Sequence, residues 1–225
     1  MWQQEAGTLL RDRREAGHRL AERLQHYRDR EDVLVLALPR GGVPVAYELA
    51  KELNLPMDVF LVRKLGVPWQ PELAMGAVAT GGVRILNRDV TSALNLRESQ
   101  IEDIARQEEQ ILHERERLFR GDRPAPDITG RTVILVDDGL ATGSSMRAAI
   151  AALRKQNPAR IVVAVPVSSA ATCEELSREV DEIVCLATPE PFWAVGQWYV
   201  DFSPTTDAEV QELLARARQQ NSRAA

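Results

Sequence analysis

No apolar run in this chain approaches the roughly 20 residues that a membrane-spanning helix needs. The longest hold about six, as in Val33–Leu38. The N-terminal stretch MWQQEAGTLLRDRREAGHRL is charged and has no apolar segment, so no secretory signal is expected. Cysteine is scarce, with only Cys173 and Cys185 present. One falls in a predicted helix and the other in a predicted strand. Both are expected as ordinary buried thiols of a reducing, cytoplasmic compartment. His18, His26 and His113 are scattered, and no zinc-type ligand spacing exists. Positive charge is not in excess. The 28 Lys and Arg stand against 33 Asp and Glu, a net charge of -5. That balance gives no global electrostatic reason to bind nucleic acid or an anionic membrane. A helix-turn-helix arm and a basic extension are also lacking. So are Gly-x-Ser-x-Gly, Gly-x-x-x-x-Gly-Lys-[Ser/Thr] and Gly-x-Gly-x-x-Gly, which argues against a serine hydrolase, a Walker-type NTPase and a dinucleotide-binding enzyme.

What is present suits one α/β domain over residues 1–225. Hydrophobic residues make up 44% of the 225, enough for a sizeable core. Residues 8–28 read as a helix with Ala16, Leu20, Leu24 and Tyr27 on one stripe. Val33–Leu38 is apolar on both faces, the signature of a strand inside a covered parallel sheet. Val43–Leu53 reads as a helix. Met57–Val62 reads as a second strand, ending at Arg63-Lys64. Residues 65–74, LGVPWQPELA, read as a loop. Met75–Ala79 and Val83–Leu86 read as a hairpin around Gly81-Gly82. A long charged helix covers 98–119. Thr132–Val136, Ile161–Val165 and Ile183–Leu186 are strands, with helices at 144–156 and 171–180 between them. A last helix begins near Thr206, which has capping-box spacing to Glu209.

Strands alternating with helices predict a parallel sheet with right-handed crossovers. Ligands of such sheets bind beyond the carboxyl ends of the strands. Three strand ends carry unusual chemistry: Pro39–Gly42, Arg63-Lys64 and Asp137–Ser145. All three are expected to converge on one edge.

The segment VILVDDGLATGSS, residues 133–145, is the most specific. Four apolar residues set the strand, and Asp137 and Asp138 emerge at its end. The small residues that follow let a ligand approach the backbone. N–H groups at a helix start, with the hydroxyls of Thr142, Ser144 and Ser145, form an anion cradle. Acids beside a phosphate cradle suit a polyhydroxyl group or a metal–diphosphate, and a ribose 5-phosphate supplies both a diol for the acids and a phosphate for the cradle.

This segment resembles the phosphoribosyl-pyrophosphate (PRPP) signature of type I phosphoribosyltransferases. Ser145 stands where that signature often has threonine and keeps the hydroxyl. The resemblance extends over the strand–helix order of about residues 30–190. It implies an α/β fold, with a parallel sheet flanked by helices. It also implies a small hood and flap, built from the termini (about 1–28 and 189–225) and from a 65–120 insertion. Asp137 and Asp138 would hold the ribose hydroxyls and touch Mg²⁺ through water. Ala141, Thr142, Gly143, Ser144 and Ser145 would hold the 5′-phosphate. Arg40, Gly41 and Gly42 would form the pyrophosphate loop, which in relatives often contains a non-proline cis peptide. Of Arg63-Lys64, Lys64 is the favoured partner of the diphosphate.

The loop at 65–74 corresponds to a mobile flap. It carries Glu72 but no Lys or Arg, so a flap arginine must come from Arg84 or Arg88. Ala141 replaces the aspartate of hypoxanthine/guanine-type members, and Leu-Ala-Thr-Gly looks closer to adenine-type ones. Those place a flap carboxylate near the base, a part for Glu72. Residues 189–204 hold Phe192, Trp193, Trp198, Tyr199 and Phe202, five of the eleven aromatics, and correspond to the hood. Trp198 or Tyr199 would stack on the acceptor base, or this cluster packs the last helix. Transfer of phosphoribosyl to a nucleobase-like nitrogen is the implied activity. A non-catalytic PRPP- or nucleotide-binding regulator on the same fold is the alternative. A homodimer is common among such proteins, and neither nucleic acid nor membrane is an expected partner. The long helix and aromatic C-terminus are closest to uncharacterised bacterial members.

Overall fold

The structure, a computed structural model, describes residues 9–224. The part of the expected hood at residues 1–8 lies outside them. Helix α1 (Arg13–Arg23) starts after Asp12, whose carboxylate caps it by accepting from the Glu15 N–H at 2.8 Å. Then follow β1 (Val33–Ala37), α2 (Gly42–Leu53) and β2 (Met57–Val59). An excursion comprises β3 (Val62–Val67), β4 (Gln70–Ala79), β5 (Val83–Leu86), α3 (Arg88–Ala93) and α4 (Glu98–Arg120). The chain returns through β6 (Thr132–Val136), α5 (Ser144–Arg154), β7 (Arg160–Val167), α6 (Ala170–Ser177) and β8 (Glu182–Ala187). A 3-10 turn, Val195–Trp198, precedes α7 (Asp207–Ala224).

Five strands form one all-parallel sheet in the order β2-β1-β6-β7-β8. Successive residues of its central strands feed opposite cores, as the period of two requires. Val33, Val35, Ala37, Ile134 and Val136 meet α1, α2 and α7 on one side. Leu34, Leu36, Val133 and Leu135 meet α5 and α6 on the other. Each such side chain contributes about 1.5–3 kcal/mol by leaving water. Both faces are covered, which is why β1 and β6 read as unbroken apolar runs. The expected α/β architecture is therefore present, and among the described residues no helix is long and apolar enough to cross a membrane.

Three expectations need correction. Residues 57–62 are not one strand. The backbone partner changes from Ala37 at Phe60 to Thr80 at Leu61, and β3 turns away into a separate antiparallel sheet, β3-β4-β5. Residues 65–74 are not a loop but the two arms of the β3–β4 hairpin, with a register shift at Gly66. A Cβ on Gly66 would lie 2.6 Å from the Pro71 carbonyl oxygen, so the arms can close there only on glycine. Cys173 and Cys185 are not separate thiols but are joined as a disulfide between α6 and β8.

Helix α4 is fixed at its C-terminal end. Arg120, 4% exposed, donates to Asp58 Oδ1 and Glu116 Oε1 at 3.1 Å each and to the Val59 carbonyl. This clamps α4 to the end of β2. The end of β4 is tied to the turn after α5, where Gln156 Nε2 donates to the Thr80 carbonyl at 3.0 Å.

Candidate active site

The carboxyl ends of β1 and β6 lie side by side, with Ala37 opposite Val136. Both chains then break into loops. After β1 the Pro39–Arg40 peptide is cis, the feature the resemblance attached to this loop. Gly41 is pressed against the acid turn: a Cβ there would lie 1.9 Å from Asp138 Oδ2. Any side chain there would have to displace the Asp138 carboxylate from Arg13.

After β6 come Asp137 and Asp138. Asp137 Oδ1 accepts from the Asp138 N–H at 2.8 Å. Burial, and next the charge of Asp138, raise the Asp137 carboxyl well above the usual carboxylate range. Burial raises Asp138 too, while the Arg13 guanidinium opposes that shift. Arg13 Nε and Nη2 lie 2.9 and 2.8 Å from Asp138 Oδ2. Arg13 also donates to the Ser203 carbonyl at 2.8 Å and lies 4.0 Å above the Phe202 ring. Beneath the turn, the Tyr199 hydroxyl donates to the Asp138 carbonyl at 2.6 Å. Burial pushes the Tyr199 phenol above its ordinary value.

The next residues lead into α5. Leu140 is tied to the end of β7 by its N–H to the Val167 carbonyl at 2.9 Å. Gly143 stands at the helix cap with φ of 70°, in the left-handed region that favours glycine. Thr142 Oγ1 and Ser144 Oγ lie 2.9 Å apart, and Thr172 of α6 donates to the Ala141 carbonyl at 3.4 Å. The hydroxyls and the first N–H groups of α5 thus gather at one helix start, a site for an anion.

A cavity of about 300 Å³ opens beside this turn. Asp137, Ser145, Arg40, Arg63 and Arg115 bring charge and hydroxyl to its lining, and Phe60 and Phe119 form an apolar wall. It joins five elements: the loops after β1 and β6, the start of β3, α4 and the start of α5.

The sequence-predicted residues divide accordingly. Arg40, Gly41, Gly42, Asp137, Asp138 and 141–145 come together. Of the pair Arg63-Lys64, Arg63 lines the cavity. Lys64 faces the other way on β3, where its ammonium lies 3.2 Å from Glu72 Oε2. Glu72 is on the hairpin, with its side chain 95% exposed. Arg84 is engaged by Glu102 and Glu109 at 2.5 and 2.9 Å, and Arg88 opens α3. Trp198 stacks on Phe192 at 6.5 Å between centroids, and its indole N–H is buried without a partner. Tyr199, 6% exposed, supports the acid turn from below and does not offer its ring to a base. Arg13 and Arg115 were not singled out from sequence. Each lies in a charged helix far along the chain from the residue it serves, so no local pattern marks it.

Among the described residues no group of three or more His, Cys, Asp or Glu can hold a metal ion. Two adjacent carboxylates fit Mg²⁺ only where the ion takes its other ligands from water and phosphate oxygens, which is its habit.

A family model for the phosphoribosyl transferase domain matches residues 9–203. A Mycobacterium tuberculosis protein provisionally named a phosphoribosyl transferase is 46% identical over 209 residues, 93% of this chain and 47% of that one. The chain spans about half the length of the curated relatives it matches most extensively. The bifunctional protein PyrR of Chloroflexus aurantiacus is 34% identical over 131 residues, 56% of this chain and 65% of that protein. The crystal structure of TT1426 from Thermus thermophilus is 43% identical and superposes with a TM-score of 0.83, covering 93% of this chain and 99% of that one.

Proposed function

Because the chain belongs to the phosphoribosyl transferase domain family, we propose that it transfers the 5-phosphoribosyl group of PRPP to a nitrogen of a nucleobase-like acceptor, releasing pyrophosphate. The observation that carries this reading is the meeting of an acid turn, a helix-start anion cradle and an arginine-lined cavity at one sheet edge.

In the reaction the C1–oxygen bond to pyrophosphate breaks and a C1–nitrogen bond forms, through an oxocarbenium-like transition state. Asp137 and Asp138 accept hydrogen bonds from the ribose 2′- and 3′-hydroxyls. Residues 141–145 hold the 5′-phosphate with backbone N–H groups and hydroxyls. Together they fix the sugar at both ends, which is where positioning lowers the barrier. Arg40 and Arg63 face the leaving diphosphate and stabilise its growing charge. Asp137 and Asp138 would hold Mg²⁺ through water, and the bound ion would supply positive charge against the diphosphate. The β3–β4 hairpin is the flap. Its Lys64–Glu72 pair, exposed and therefore weakly held, is free to re-partner over the substrate, Lys64 with diphosphate and Glu72 near the base. Trp198, half-buried at the hood, is the remaining aromatic candidate for contact with the acceptor.

The test is calorimetric titration with PRPP and Mg²⁺, repeated with the Asp137→Asn/Asp138→Asn double variant. Binding that the double variant loses supports the site. Normal binding by the double variant excludes the two-carboxylate role. Pyrophosphate release with a nucleobase then separates the transferase from a PRPP-binding regulator.

A further inference from the structure

The two walls of the cavity that belong to the sheet supply Arg40 and Arg63. The third cation arrives on α4. Arg115 lines the cavity together with Phe119, one turn further along the same helix. Its guanidinium is engaged by Asp207, the first residue of α7, with Nη1 at 2.9 and 3.0 Å from the two carboxylate oxygens. The same carboxylate lies 3.7 Å from Arg40 Nη1. One acid thus bridges two arginines at the cavity mouth, one on the loop after β1 and one on α4. Arg63 is similarly paired, to Glu108 of α4 at 2.6 Å.

We propose that Arg115 completes the diphosphate subsite with Arg40 and Arg63, and that Asp207 is the internal carboxylate which an incoming diphosphate displaces. This rests on the phosphoribosyl reading above. The physical case is one of competition. Arg115 and Asp207 are 42% and 36% exposed, so their pairing is screened by water and weak. A diphosphate carries several charges and offers planar oxygen pairs that match guanidinium groups bidentately. It therefore outcompetes a single carboxylate for Arg40 and Arg115.

The experiment is titration of the full chain with inorganic pyrophosphate, for wild type, Arg115→Met, Asp207→Asn and Glu212→Gln. Glu212 is on the same helix as Asp207 and pairs with Arg216 at 2.5 Å, away from the cavity. Its removal controls for a general change of field. Arg115→Met is expected to weaken pyrophosphate binding about tenfold, the loss of one charge-assisted contact. Asp207→Asn is expected to tighten it several-fold, and Glu212→Gln to leave it unchanged. The opposite signs are the diagnostic. Asp207→Asn with equal or weaker affinity overturns the exchange, because Asp207 would then merely position the arginines. Arg115→Met with wild-type affinity overturns the role of α4, while PRPP binding that needs Asp137 and Asp138 leaves the underlying reading intact. A wild type that binds neither pyrophosphate nor PRPP overturns both.

Discussion

Arg13 meets a single oxygen of Asp138, with Nε at 2.9 Å and Nη2 at 2.8 Å from Oδ2. The two side chains are only 11% and 15% exposed. The pair closes the acid turn from the side of α1, while Asp137 lines the cavity. The two adjacent acids are therefore not equivalent: one has a permanent cation and the other does not.

Removing that cation should be costly. Arg13→Met leaves Asp138 buried beside Asp137 without compensation, and breaking such a pair typically costs about 3 kcal/mol or more. The deficit should be largest at neutral pH. It should shrink in acid, where Asp138 takes up a proton. The double change Arg13→Met/Asp138→Asn should recover most of the loss. Chemical denaturation of the three variants at two pH values measures this. A single variant as stable as wild type at neutral pH would show that the pair is incidental.

Asp137 gives the converse prediction. Its carboxyl is raised by burial and by Asp138. An acid whose folded pKa exceeds its unfolded one takes up protons on folding. It costs nothing below the unfolded value of about 3.9. The cost then grows as pH rises through the folded value. Asp137→Asn removes the ionising group. It should unfold at a higher temperature than wild type at neutral pH, and the advantage should vanish towards about pH 4. Thermal unfolding across that range is the readout, and a gain that does not change with pH would contradict the mechanism.

The contrast between these acids and their surroundings marks what sequence carries. Asp137 and Asp138 were legible because strand, acids and small-residue loop are contiguous over residues 133–145. Thr132–Val136 was legible as a strand because both its faces are buried. The β3–β4 hairpin was not legible. Gly66, Pro68 and Pro71 are local turn signals, and here they mark a bulged hairpin that packs its apolar side on α4. Arg13 lies 125 residues from Asp138, and Arg115 lies 92 from Asp207. Each stands among other charged residues of its own helix. Only the fold selects which arginine reaches an acid.

Gly143→Val tests the phosphate cradle. A valine at φ of 70° costs about 1–2 kcal/mol of backbone strain. Its Cβ would also lie 3.0 Å from Thr172 Cγ2, crowding α6. The fold should survive a loss of this size, because the sheet is untouched and the nearest core atom, Leu176 Cδ1, would lie at an ordinary contact distance of 3.5 Å from the new Cβ. PRPP affinity should fall at least about tenfold as the N–H groups at the start of α5 are displaced. Titration with PRPP, beside a melting curve to verify folding, decides it. Unchanged affinity in a folded variant would remove residues 141–145 from the 5′-phosphate site.

Arg120→Met tests the idea that α4 is held where it can deliver Arg115. Arg120 is 4% exposed and bonds Asp58, Glu116 and the Val59 carbonyl. Its loss removes one donor from each of two partly buried carboxylates and from one carbonyl, for about 3–5 kcal/mol of stability. Charge removal at this depth should act on binding only through the position of α4. Pyrophosphate affinity should fall in the same direction as in Arg115→Met, and the two changes should be less than additive when combined, since both act on one guanidinium. Arg120→Met/Asp58→Asn, which removes one stranded carboxylate, should regain part of the stability without regaining the affinity. Full additivity of Arg115→Met and Arg120→Met would separate the buried clamp from the cavity and leave Arg120 a purely structural residue.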